Sequence, residues 1–298
     1  MVNNNSAIPT TSNYVITSLK SLSLYATILS QYPYITQSQC KHFLIFAYDL
    51  ENISTKWQNG TGKCLARSDI DILRKFGDLI TGRSIDQYFS HDFIYHRLAN
   101  TWKYLLNVQD NDVPQVVTGR SSTSSLPPSL NLDRLEAAKE NSTLMINAVI
   151  ERNKSNNNSL LLLDISTVLL IIIIRSEAHE YILGNILKRI KSVTRDQIDI
   201  ADLLSVESKV PKTGSFKPDT RAIRDAASHA RFVIKNDLNG DFAIHFNNTE
   251  DGYGFQRIYS RKELLNFYQD YDRMTIITSR LLNVRLLYSF LNLYFAID

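Results

Sequence analysis

Cysteine is nearly absent from this chain: Cys40 and Cys64 are the only two in 298 residues. That excludes a disulfide framework or a four-ligand zinc cage, and makes a reducing, cytoplasmic compartment the expectation. Ten glycines and seven prolines are too few for a collagen-like or low-complexity chain. Charge of one sign is also scarce, with 33 basic against 30 acidic residues for a net +3. A globally basic nucleic-acid binder is thereby excluded, although a local basic face is not. The greasiest run, "LLLLDISTVLLIIII" at 160–174, falls short of the roughly 20 residues of a spanning helix, and Asp164 interrupts it. A buried helix is expected, because "RSEAHEYILGNILKRI" continues the helical pattern directly after it. The opening "MVNNNSAIPTTSNY" has neither a basic leader nor an apolar core, so no secretory leader is expected.

What is present is helical periodicity. Helices are expected over 12–31, 36–57 and 84–108, with Ser68 as N-cap of "DIDILRKFGDLI" between the last two. The Ser-, Thr- and Pro-rich 111–130 reads as a linker or exposed loop. It separates an N-terminal helical region of unassigned role, 1–110, from a domain at 131–298. That domain should hold helices at 131–152, 159–193 and 196–206, joined by turns such as "NKSNNNS". Asp219 or Thr220 is expected to cap the next helix. A small β-insert of two or three strands is expected at 232–259, because "FVIKN", "FAIHFNN" and "YGFQRIYS" alternate between turn signals. Ser260 with Glu263 then has the spacing of a capping box at the start of a long last helix. The fold class is mainly α, a helical bundle with a small β-insert.

Three segments carry candidate chemistry. "NGTGKCLARSDIDIL" is similar to the glycine turn and paired aspartates of nucleotidyltransferases, in which Asp69 and Asp71 would hold magnesium. That chemistry needs a strand at 66–74; a helix there removes it, since acids in a first helical turn simply complement the helix dipole. "RSEAHEYI" offers Glu177 and His179, but a zinc-protease helix needs a second histidine four residues away. "RAIRDAASHARF" places Ala222, Ile223, Ala226, Ala227 and Ala230 on one face of a helical wheel. Arg221, Arg224, Asp225, Ser228, His229 and Arg231 take the other face, with Arg224 and His229 about 140° apart.

The run Arg224-Asp225-Ala226-Ala227-Ser228-His229 resembles the Arg-X4-6-His motif of HEPN domains. The wider "IRDAASHARFVI", "FAIHFNN" and "GYGFQRIYSRKELLNFYQDYDRM" resemble plasmid- and archaea-borne HEPN-like proteins with a β-insert, over roughly 131–298. The resemblance implies an α-bundle homodimer that cleaves RNA without metal or other cofactor, in toxin or defence systems. Arg224, His229 and Asp225 are then the catalytic candidates, and Ser228, Arg221 and Arg231 the substrate-binding ones. A histidine near neutrality suits abstraction of the 2′-hydroxyl proton, and a guanidinium suits the phosphorane. A silent helical interaction module, pairing with an antitoxin or a nucleotidyltransferase, is the alternative the resemblance leaves open.

Overall fold

In the computed structural model, the described residues are 7–32, 35–60, 65–82, 88–89, 91–118, isolated positions within 141–151, 162–206, 219–236, 242–248 and 255–295. They form α1 (Ala7–Ser30), α2 (Gln37–Gly60), α3 (Arg67–Thr81), α4 (Phe93–Asn107) and α5 (Val113–Thr118). Next come α6 (Leu162–Thr194), α7 (Ile200–Leu204) and α8 (Asp219–Ser228). The chain then enters β1 (Phe232–Asn236), β2 (Phe242–Asn248) and β3 (Phe255–Ser260), and ends in α9 (Arg261–Phe295). The mainly α class with a small antiparallel insert is therefore the observed one.

The chain divides into two compact units. The first comprises 1–129, 192–196 and 276–298, and the second comprises 130–191 and 197–275. The second unit begins at Leu130 and ends inside the unbroken α9, after Thr275. The sequence pattern reads 111–130 as a linker, whereas Val113, Val116 and Val117 of α5 are buried. Three valines within five residues are enough for one apolar face on a short helix, even in a polar context.

In the first unit α1 and α2 form a hairpin, in which Ser23 Oγ donates to Ala47 O at 2.9 Å. Leu19, Leu22, Phe43, Leu50, Ile70 and Phe76 are fully buried. Recurrence at three and four residues gives each helix a single inward stripe. The helix α3 begins two residues earlier than Ser68 suggests: its N-cap is Ala66, whose N–H donates to Asp69 Oδ2 at 2.7 Å. The carboxylate reaching back makes half of a capping box, and alanine has no hydroxyl to supply the other half. The helix α4 starts at Phe93 rather than 84, and stacks Trp102 directly on Gly77 of α3.

From the last helix, Arg285 is buried and ties down the turn after α4. Its Nε donates to Leu105 O at 2.9 Å, Nη2 donates to Val108 O, and Nη1 meets Asp110 Oδ1 at 2.7 Å. Ser289 Oγ donates to Asp110 O at 2.6 Å. A buried guanidinium is tolerated because its donors find carbonyls and a carboxylate.

In the second unit the greasy segment is part of α6, with Leu169, Ile171 and Ile172 buried. Among the described residues no helix is long and apolar enough to cross a membrane. Arg175, fully buried in α6, pairs with Asp272 of α9. The strands run in the order β1-β2-β3. In register, Ile234, Ile244 and Tyr259 lie across from one another on one face, and Val233, His245 and Ile258 on the other. Ile244 and Tyr259 are buried, and an aromatic chain Phe246–Tyr259–Phe267–Tyr271 carries the packing into α9 at centroid spacings of 5.8, 5.8 and 6.4 Å. The opposite face is open, with Val233 55% and Ile258 61% exposed.

The Ser260–Glu263 box forms as its spacing suggests: Ser260 N–H donates to Glu263 Oε2 at 2.8 Å, and Glu263 N–H to Ser260 Oγ at 3.3 Å. Most of the expected 131–152 helix, the turns at 61–64 and 152–161, and the side chains of Glu177, His179, Asp219 and Thr220 lie outside the described residues.

Candidate functional site

The helix α8 is ten residues long, and Ala222, Ile223 and Ala226 face inward as the wheel suggests. Arg224 is half-buried on its flank, with only 13% of its side chain exposed. Its Nε and Nη2 both donate to Asp225 Oδ1, at 3.0 and 2.7 Å. Its Nη1 lies 3.9 Å from Glu180 Oε2 of α6, and Arg221 Nε lies 4.0 Å from that same oxygen. The core of the site is therefore an ionic cluster of Arg221, Arg224, Asp225 and Glu180.

His229 is placed differently from the wheel, because α8 ends one residue before it. Three bonds close the helix: His229 N–H donates to Asp225 O at 3.1 Å, Ala230 N–H to Ala227 O at 3.2 Å, and Arg231 N–H to Ala226 O at 2.7 Å. With Ala230 at φ 53°, this is a Schellman closure whose left-handed position holds alanine where glycine is usual. His229 is the C-cap and points to solvent as an exposed residue, as does Ser228. Ala230 is exposed rather than packed inward, and Ala227 is half-buried; a helical wheel has no meaning past the residue that breaks the helix.

Two concavities flank this end of the unit. One, of about 580 Å³, lies between α6 and α7 and has Glu180, Lys188, Lys191 and Arg221 in its wall. The other, about 830 Å³ and shallow, runs along the sheet from Ala230 and Arg231 through Val233, Lys235, His245, Asn247, Arg257 and Ile258. Neither wall contains Arg224 or His229. The described wall of the second holds three cations and a histidine, and two of the cations, Arg231 and Arg257, have partners of their own. Arg257 also acts on Glu263, outside that wall.

Sequence reasoning passes over Glu180, because "RSEAHEYI" draws attention to Glu177 and His179 for a metal. It also passes over Lys235, His245 and Arg257. For Lys235 and His245 a signal exists, since strand alternation puts both on the face of Val233 and Ile258, whereas Arg257, opposite Phe246, falls on the other face.

Asp69 and Asp71 do not form a metal site. Residues 67–81 are helical, Asp69 Oδ1 meets Lys56 Nζ at 2.8 Å, and its Oδ2 is taken by Ala66 N–H. Asp69 is thus a buried helix cap with both oxygens occupied, and the nucleotidyltransferase reading falls. Among the described residues no group of three or more His, Cys, Asp or Glu side chains is arranged to hold a metal ion.

No protein-family model matches the chain, and comparison with curated proteins and with solved structures gives no significant match.

Proposed function

We propose that the second unit binds single-stranded RNA over the end of α8 and the open face of the sheet. The carrying observation is the wall of Arg231, Lys235 and His245 beside exposed His229, on the sheet face where Val233 and Ile258 are exposed, with Arg257 reaching the same concavity from the other face. Phosphates are drawn by such cations, and the half-buried Phe232 ring with exposed Val233 and Ile258 gives bases a surface to lie on. In its enzymatic form, with the HEPN-type motif as support, His229 takes the 2′-hydroxyl proton of the bound strand. Arg224 then meets the phosphate, the P–O5′ bond breaks as the P–O2′ bond forms, the leaving 5′-oxygen takes its proton from water, and a 2′,3′-cyclic phosphate forms. No metal takes part. Because Arg224 and His229 leave the helix at different levels, the complete site uses two copies of the chain, in keeping with the dimer that the motif implies.

The second reading, a silent RNA-binding or protein-binding module, is favoured by the two bonds that hold Arg224 to Asp225. One experiment separates them: purified protein and His229→Ala are incubated with single-stranded RNA in EDTA, and both binding and end chemistry are read. Cleavage to cyclic phosphate ends, reduced at least about a hundredfold in His229→Ala, supports the nuclease. Binding without cleavage supports the silent module. Absence of RNA binding overturns the proposal.

A further inference from the structure

The first unit contains a polar concavity of about 510 Å³ between α3, α4 and the last helix. Its floor is rigid, because Arg285 and Asp110 fix each other and the turn between them is bonded to α9. On its rim stand Arg67 and Arg74 of α3 and Lys103 of α4, all exposed. Arg67 and Arg74 are seven residues apart, so they share one face roughly 10 Å apart. None of the three is ion-paired with another described residue. Asp110 is committed to Arg285, and Asp71, on the same helix face, stands outside the lining.

Two further side chains border the same space. Asn292, which lines the pocket, donates through Nδ2 to Asp110 Oδ2 at 3.1 Å. Its buried Oδ1 has no donor among the described residues. Tyr288 adds an aromatic wall.

Unpaired cations in a concavity concentrate anions, and arginine forks match phosphate oxygens in particular. The aromatic wall beside them gives a flat ring on the same ligand a surface to lie against. We infer that this pocket binds a nucleoside phosphate, with Arg67, Arg74 and Lys103 holding the phosphates. The inference is independent of the RNA reading, since it concerns residues of the other unit alone.

The test is calorimetric titration of the full chain at low salt with ADP, adenosine, inorganic phosphate and a short single-stranded RNA. ADP should bind, phosphate more weakly, and adenosine not measurably. Arg67→Gln with Arg74→Gln should weaken ADP at least about tenfold, as loss of charge-assisted bonds does. Arg74→Lys should retain part of the affinity. Both arginines are exposed, and unchanged circular dichroism of the unliganded variants shows that the fold is intact. RNA binding should be unaffected by this pair. Failure of ADP to bind, equal ADP affinity in the double variant, or binding of RNA alone with loss in the double variant each overturns the assignment.

Discussion

Arg224 places two of its N–H groups on one oxygen of its chain neighbour Asp225, at 3.0 and 2.7 Å. The guanidinium is thus presented sideways along the helix rather than outward. Replacing the carboxylate loosens that hold and leaves Arg224 with Glu180 at 3.9 Å. Asp225→Asn should tighten RNA binding severalfold and steepen its salt dependence by about one phosphate contact, whereas Arg224→Ala should do the reverse. Filter binding over a salt series reads both. Weaker binding by Asp225→Asn would mean that the carboxylate positions Arg224 productively.

Ala230 holds a left-handed backbone, which strains any residue with a Cβ. Ala230→Gly should therefore stabilise the second unit by about 1 kcal/mol, and Ala230→Val should destabilise it. Urea denaturation measures both. A loss of stability in the glycine variant would contradict the cap geometry.

The fold was legible wherever a single periodicity held. The greasy run, the three strands and the Ser260–Glu263 box lie where their spacing puts them. The start of α3 was not legible, because a carboxylate reaching back to Ala66 replaces the usual hydroxyl cap. Neither was the end of α8, where alanine occupies a position that normally advertises itself as glycine. The ionic cluster was half legible: Arg224 and Asp225 are adjacent in sequence, but Glu180 joins them only through packing of α6 on α8.

Gly77 meets the face of Trp102, so that a Cβ there would stand 2.3 Å from the indole ring. Alanine favours helices over glycine by about 1 kcal/mol, which alone predicts stabilisation. Overpacking against a buried ring costs about 1–3 kcal/mol and should win. Gly77→Ala is expected to lower the midpoint of thermal unfolding and change the near-ultraviolet signal of Trp102, whose Nε1 donates to Asp78 Oδ1 at 2.8 Å.

The hydrogen bonds from Ser260 hold the Glu263 carboxyl below its usual range, with the Arg257 charge assisting. A depressed folded value means that the contribution to stability is present above the ordinary pKa of 4.5 and disappears as pH falls through the folded value. Ser260→Ala should move the Glu263 titration, followed by NMR, back towards 4.5 and flatten the stability profile in that acid window. An unchanged titration would argue against the cap.

The helix α9 is a member of both compact units, its first part in the second and residues from 276 onward in the first. The first unit is therefore closed by residues that follow the whole of the second along the chain, Arg285 and Leu291 among them. A fragment of residues 1–275 keeps every segment of the second unit but lacks 276–298 of the first. Limited proteolysis of that fragment should leave the β-sheet protected while α1 to α4 are cut.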